Sequence, residues 1–124
     1  MDNLRLHTHV RRDAPHPVLA VAGEIDVFTA PLFKQAVVNL VAEGHRHLFL
    51  DMREVTFMDS SGFGALLGAT KRLRPEGGSL NLIGCSKTIQ RMLHLTRLDT
   101  ILGMFETEEE AMAAIQGPST ASTG

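Results

Sequence analysis

The residues with the clearest potential for chemistry stand together at Asp59-Ser60-Ser61-Gly62. A serine hydroxyl can act as a nucleophile when a base activates it, and it can accept a phosphate when a kinase reaches it. Ser60 and Ser61 stand where an apolar run gives way to helical periodicity, so either could also lie at the N-cap of a helix. Exposed amide groups and the helix dipole favour an added phosphate there, whereas Asp59 repels it. The pattern predicts a phosphorylatable serine whose modification changes what this surface binds.

A catalytic role for these serines lacks the partners it would need. A serine hydrolase requires a base beside the nucleophile, and no Gly-x-Ser-x-Gly elbow occurs in the sequence. None of the six histidines is placed by sequence beside Ser60. We therefore predict that the chain is not an enzyme.

The glycines that follow the serines resemble a nucleotide-binding loop only in part. Gly62, Gly64 and Gly68 put the third glycine one residue later than the dinucleotide fingerprint requires. Asp59 would place negative charge where a pyrophosphate lies, and no phosphate-binding Gly-Lys-Ser/Thr sequence is present. We predict no cofactor.

Other residues with candidate chemistry are explained more simply by structural roles. Asp51 follows Leu48-Phe49-Leu50 as the phosphate-accepting aspartate of a response-regulator receiver would, but the paired acids of that fold are missing, since Ile25 separates Glu24 from Asp26. The pairs His7-x-His9 and His45-x-His47 could bind metal, yet no carboxylate or cysteine completes either site by sequence. We predict a structural Asp51, solvent-facing histidines and no metal.

Composition limits the classes of partner. The chain has 124 residues, 44% hydrophobic, and a formal net charge of −2. It lacks the basic patch and stacking aromatics typical of nucleic-acid binding, as well as the ~18 apolar residues of a membrane span. Cys85 is the only cysteine, which excludes an internal disulfide and fits a reducing compartment, and its thiol is predicted to be partly buried and unreactive. We predict a cytoplasmic protein with no nucleic-acid or membrane partner.

Strand and helix patterns alternate along the chain. Leu4 to Val10 and Val18 to Ala22 read as a hairpin, and Thr29 with Pro31 predicts the start of a helix that ends at Gly44. The remaining predicted elements are strand segments at 47–51, 55–58, 80–84 and 101–105, and helices at about 61–73, 86–94 and 107–115. This order predicts a single α/β domain with an N-terminal hairpin, a mixed, mainly parallel sheet of four to five strands and about four helices.

The helix after the serines has two different faces on a helical wheel. Phe63, Leu66 and Leu73 fall on one side, as in a core-facing stripe. Ser61, Ala65, Gly68 and Arg72 fall on the other side, which is nearly bare. We predict that this bare side lets the backbone of another protein approach closely. The alternative is that Gly62 and Gly64 only let the helix sit tightly on the sheet.

At this point a family resemblance becomes specific. The segment Phe57 to Gly64, with Gly23-Glu24-Ile25-Asp26 upstream, resembles the bacterial anti-sigma factor antagonists, single-domain members of the STAS (sulfate transporter and anti-sigma antagonist) family. The resemblance covers roughly residues 4 to 115. It implies a STAS domain at 1–116, followed by a Ser/Thr-rich tail at 117–124 that its composition predicts to be disordered.

The resemblance implies a partner switch. In this family an anti-sigma factor with serine kinase activity phosphorylates the antagonist and is released, and a serine phosphatase reverses the modification. The phosphorylated residue of the family matches Ser60. The helix start that the partner contacts matches Ser61 and Gly62. An acidic contact for a basic group of the kinase matches Asp26. Asp59 and Ala65 complete the expected partner-binding set. A STAS subunit of a transporter-associated or stressosome complex is the alternative.

Overall fold

The computed structural model describes residues 5–123, with side chains described as far as Ile115. It confirms an α/β fold with one five-stranded sheet and four α-helices in this part of the chain. The strands are β1 (Leu6–Arg11), β2 (Val18–Ile25), β3 (His47–Met58), β4 (Ser79–Ile83) and β5 (Gly103–Phe105). The helices are α1 (Ala30–Ala42), α2 (Ser60–Leu73), α3 (Lys87–Leu95) and α4 (Glu108–Thr123), with short 3₁₀ turns at Arg74–Glu76 and Leu98–Thr100.

The strands lie in the sheet in the order in which they occur along the chain. β1 and β2 form the predicted antiparallel hairpin, and each later strand pairs in parallel with the one before it. Parallel crossovers are almost always right-handed, so consecutive crossovers in one direction place their helices on the same face. Phe33 of α1, Leu66 of α2 and Leu93 of α3 accordingly belong to one buried cluster. The loops that enter α1, α2 and α3 therefore lie at one edge of the sheet.

The opposite face of the sheet has a smaller core under α4. Ala111 and Met112 pack there with Val18, Phe49 and Ile83, one residue from each of three adjacent strands. Thr107 caps α4, because its hydroxyl accepts a hydrogen bond from the Glu110 backbone N–H at 3.2 Å. α4 thus closes the second face without covering the edge that carries the serines.

β3 is one strand of 12 residues where the sequence predicted two segments. β4 pairs with β3 only from His47 to Asp51, so the second half of β3 has β2 as its neighbour. Arg53 and Glu54 are exposed in this half. These charged residues lie between the two predicted segments. The strand continues through them because β4 does not pair with this half of β3, which leaves one side of the strand open to solvent.

The predicted domain end and C-terminal tail lie beyond the last described side chain, that of Ile115. α4 spans Glu108–Thr123, beyond the predicted end near Ile115. Side chains from residue 116 onward lie outside the described residues, as do residues 1–4 and Gly124. The division into a domain at 1–116 and a disordered tail at 117–124 stays a prediction. No helix of the described part is both long and apolar enough to cross a bilayer.

Candidate functional site

Asp59 organises the start of α2. Its Oδ1 accepts a hydrogen bond from the Ser61 N–H at 2.8 Å, and its carbonyl oxygen accepts from Gly62 N at 3.0 Å and Phe63 N at 3.1 Å. Asp59 is therefore the N-cap, and Ser60 is the first residue of the helix. The alternative that Ser60 or Ser61 supplies the cap is wrong, since the Asp59 side chain accepts the capping hydrogen bond instead.

The two serines differ in accessibility. Ser60 is exposed, whereas Ser61 is half-buried. Within the described part of the chain the Ser60 hydroxyl has no hydrogen-bond partner, so its oxygen is available to solvent or to another protein. The amides of Ser61, Gly62 and Phe63 already donate to Asp59. A phosphate on Ser60 would therefore lie beside the carboxylate of Asp59, and these three N–H groups, which the sequence predicted to be free, would not be available to bind it.

A second loop meets the serine turn at the sheet edge. The Asp59 N–H donates to the carbonyl oxygen of Ile25 at 3.1 Å, which joins the end of β2 to the end of β3. The chain then turns through Asp26, whose Oδ1 accepts hydrogen bonds from the N–H groups of Phe28 at 2.9 Å and Thr29 at 3.0 Å. These bonds hold the loop that leads into α1.

Asp26 is engaged within its own chain. Its Oδ2 lies 2.7 Å from a guanidinium nitrogen of Arg5, and the residue is 8% exposed. Desolvation raises the pKa of this carboxyl, but the amides of Thr29 and Phe28 and the charge of Arg5 outweigh it, so the pKa lies below its ordinary value. The structure brings Asp26 to the site as predicted, but with Arg5 in the place expected for a partner's basic group.

The glycines of α2 serve different purposes. A Cβ added at Gly62 would collide with the Met58 side chain and come within 3.0 Å of Ile25, so packing against the sheet requires this glycine. A Cβ added at Gly64 or Gly68 would meet nothing within 4 Å. The tight-packing alternative is therefore correct for Gly62 and wrong for Gly64. Gly64 and Gly68 leave the outer surface of α2 bare at a cost of about 0.5–1 kcal/mol each.

Ala65 does not belong to that outer surface. It is 3% exposed, because α1 packs beside α2 and covers it. The wheel placed Ala65 opposite the core stripe, but it could not show on which side the neighbouring helix would lie. Ala65 and Gly62 are both buried, so a partner that approaches the outer surface of α2 does not reach them.

Exposed apolar side chains flank the serine turn, and sequence reasoning missed them. Val27 and Phe28 in the loop after β2 are 60% and 80% exposed, and Phe57, which precedes Met58 in β3, is 49% exposed. We call these three residues the apolar rim. In sequence they read as parts of ordinary apolar runs. Phe57 and Met58 are adjacent in a strand, so their side chains point to opposite faces, and this alternation was the only sequence pattern that indicated an exposed side chain.

The other candidate residues have structural roles. Asp51 is 8% exposed and pairs with Arg53 at 2.6 Å and Arg11 at 3.1 Å. The hydrogen bond from Arg53 is the main reason that its pKa lies below the ordinary value, although burial opposes the shift. Burial raises the pKa of the Cys85 thiol to about 12, which agrees with an unreactive cysteine.

The histidine pairs do not assemble a metal site. Within the described residues no three His, Cys, Asp or Glu side chains are grouped to hold a metal ion. His7 and His9 are exposed on β1, as predicted. His47 is half-buried instead, and its Nδ1 lies 2.8 Å from the Ser79 hydroxyl.

The chain is similar to proteins of one known family. Residues 7–111 match the family described as STAS domain. The anti-sigma-B factor antagonist of Listeria monocytogenes is 42% identical over 100 residues, covering 80% of this chain and 87% of the relative. The protein of the same name from Bacillus subtilis is 30% identical over 106 residues, covering 86% and 96%.

A solved structure extends the agreement to three dimensions. An anti-sigma factor antagonist from Mycobacterium paratuberculosis superposes with a TM-score of 0.81 at 31% identity, covering 90% of this chain and 94% of that one. These relatives are regulatory proteins, which confirms the prediction that the chain is not an enzyme. The fold, the serine turn and these relatives together place the chain in the STAS domain family.

Proposed function

We propose that this protein is a cytoplasmic anti-sigma factor antagonist that works by partner switching, with Ser60 as the switch. In the unphosphorylated form it binds an anti-sigma factor that has serine kinase activity, and so frees a sigma factor. Phosphorylation of Ser60 releases that partner, and a serine phosphatase restores binding. The observation that carries the proposal is the exposed, unbonded hydroxyl of Ser60 at a helix start already capped by Asp59.

Accessibility favours Ser60 over its neighbour. A kinase must bring the γ-phosphate of ATP in line with the attacking hydroxyl, which requires an oxygen that solvent and the kinase can reach. Ser60 is exposed, while Ser61 is half-buried and its amide is bonded to Asp59. Because Asp59 supplies the cap, Ser60 can be modified without loss of a hydrogen bond that holds the helix.

Local charge explains why a phosphate would act as a release signal. A phosphate at neutral pH carries about −1.5 to −2 charges and disrupts contacts when it lies beside carboxylates or in an apolar interface. Asp59 precedes Ser60 directly, and the turn at Asp26 is joined to it through Ile25. The folded core does not involve Ser60, so the modification changes the surface and leaves the fold intact.

The bare outer surface of α2 supports a protein partner. Gly64 and Gly68 are exposed, and neither is required by packing within the chain. Small residues on a helix allow a partner's backbone to approach closely. With Ser61 and Asp59 at one end, this surface forms the proposed contact region.

The kinase test uses the two serines as a matched pair. The purified chain is incubated with ATP and, in turn, with each histidine-kinase-like serine kinase encoded in the same genome, and phosphopeptides are mapped by mass spectrometry. We expect phosphate on Ser60 in the wild type and in Ser61→Ala, and none in Ser60→Ala. Phosphate on Ser61 or Thr56 alone would show that the assignment of the switch is wrong.

The binding test separates the switch from its alternative. Ser60→Ala should hold the kinase that phosphorylates the wild type in the presence of ATP, and Ser60→Asp should bind it weakly. Equal affinities would mean that Ser60 is not the switch. Co-purification of transporter subunits that ATP does not release would instead support a STAS subunit of a transporter-associated or stressosome complex.

A further inference from the structure

We propose that Phe28 and Phe57, in the apolar rim, anchor the anti-sigma factor partner by inserting into an apolar pocket on its surface. This inference rests on the proposed function, since it names how the same site recognises its partner. Phe28 is 80% exposed, the largest exposed fraction among the large hydrophobic side chains described. Large aromatic side chains that stay in water in the free protein are typical anchors of binding interfaces.

The two rings flank a pair of ions at the sheet edge. The guanidinium of Arg5 lies 5.8 Å from the centroid of the Phe28 ring and 3.4 Å from the carboxylate of Glu24. Glu24 is the register partner of Phe57 on the neighbouring strand, so their side chains project from the same face of the sheet. Phe28 and Phe57 therefore border one continuous surface, with Arg5 and Glu24 between them.

Phe28 is held in place before any partner arrives. Its backbone N–H donates to Asp26 Oδ1 at 2.9 Å, and Asp26 itself is bonded to Arg5. Arg5 thus contacts both the ring of Phe28 and the carboxylate that fixes its backbone. A side chain ordered in advance loses less conformational entropy on binding, which favours affinity. The contacts of Asp26 with Arg5 and with the Phe28 N–H therefore serve to position the Phe28 anchor.

Charge around the rim defines the chemistry of the occupant. Glu24 and Asp26 both pair with the guanidinium of Arg5. Asp59 adds a third carboxylate at the adjoining serine turn, so the surface has an excess of negative charge. A facing protein with uncompensated carboxylates would be repelled. The occupant that fits is a segment of the anti-sigma factor with an apolar pocket bordered by lysine or arginine.

The rim also strengthens the effect of the phosphate. Phe57 lies three residues before Ser60, and the loop with Phe28 is joined to the serine turn through Ile25 and Asp59. If the rings are buried against the partner, the Ser60 oxygen lies at the border of an apolar contact. A phosphate there would have to be desolvated, which adds to its repulsion by Asp59.

The test compares exposed apolar residues at two ends of the molecule. The probe is the kinase that phosphorylates the wild-type chain, and dissociation constants are measured by calorimetry without ATP. Phe28→Ala and Phe57→Ala should each weaken binding by about tenfold or more, and Phe28→Leu should retain most of the affinity. Leu95→Ala is the matched control, because Leu95 is 66% exposed on α3, and it should bind within about twofold of the wild type.

The outcomes separate this inference from the function on which it rests. If Ser60→Asp loses binding while Phe28→Ala and Phe57→Ala bind like the wild type, the anchor is wrong and the switch stands. If no kinase of this class binds or phosphorylates the wild type, the proposed function is wrong and the anchor is wrong with it. If the wild type self-associates in sedimentation and Phe28→Ala is monomeric, the occupant is a second copy of this chain, which also overturns the proposal. Circular dichroism of each variant identifies any loss caused by unfolding.

Discussion

The Oδ2 atom of Asp26 lies 2.7 Å from a guanidinium nitrogen of Arg5, and this ion pair fixes the loop between β2 and α1. The same carboxylate accepts hydrogen bonds from the N–H groups of Phe28 and Thr29, so one side chain joins the residue before β1 to the turn before α1. A residue that the family resemblance assigns to a partner therefore has a structural function first. Loss of partner binding in an Asp26 variant must accordingly be separated from loss of stability.

Asp26→Asn should lower the stability of the fold at neutral pH. The pKa of Asp26 is lowered in the folded chain, so its charge stabilises the fold above the ordinary carboxyl pKa of about 4 and stops doing so as the pH falls below it. Urea denaturation should show a lower midpoint for the variant at pH 7 and a smaller difference at pH 3. A difference that does not change with pH would show that the charge of Asp26 is not what stabilises the loop.

Replacing the glycines of α2 by alanine should change the free energy of unfolding in opposite directions at different positions of the same helix. Gly64→Ala and Gly68→Ala should each stabilise the fold by about 0.4–1 kcal/mol, because the added methyl group meets nothing and the unfolded chain loses freedom. Gly62→Ala should destabilise it, because the methyl group would collide with Met58. The free energy of unfolding in urea measures all three. Destabilisation by Gly64→Ala would indicate that this glycine has an internal role after all.

The sequence predicted the order of elements because their signals are local. Turn residues between β1 and β2 and the Thr-x-Pro start of α1 depend on neighbours within a few positions. The α/β class follows from the alternation of those elements. The assignment of Ser60 as the candidate phosphorylation site follows from a short local motif, together with a family resemblance that covers most of the chain. Strand order and the joining of β3 into one strand depend on pairing between distant segments, which a single sequence does not show.

The features of the site that the sequence did not reveal have one physical origin, which is contact between segments far apart in the chain. Ala65 is buried beside α1, and the carboxylate of Asp26 is paired with Arg5, the residue before β1. The helical wheel and the motif each describe one element in isolation. The apolar rim escaped notice for the same reason, since its members lie in two segments that only the sheet brings together.

Cys85 should be unreactive in the folded protein. Burial raises the pKa of its thiol to about 12, so almost none is present as the nucleophilic thiolate at pH 8. Alkylation by iodoacetamide should be at least about a hundredfold slower in the native chain than in the chain unfolded by urea at the same pH. Comparable rates in the two states would show that this cysteine is exposed in solution.

His47 should make the fold less stable as the solution becomes mildly acidic. Its pKa is lowered, first by burial and then by the nearby charges of His16 and Arg46. The ring of His16 lies 6.4 Å from that of His47 and 5.3 Å from Phe49, and its buried Nε2 has no hydrogen-bond partner in the described chain.

Linkage gives the direction of the effect. The unfolded chain takes up a proton on His47 as the pH falls through about 6.5, whereas the folded chain resists protonation until a lower pH. Stability is therefore highest above that value and declines below it. His47→Gln and His16→Phe should each reduce the loss of thermal stability between pH 7 and pH 5, the first by removing the titrating ring and the second by removing a like charge. An unchanged loss in both variants would show that other groups cause the acid sensitivity.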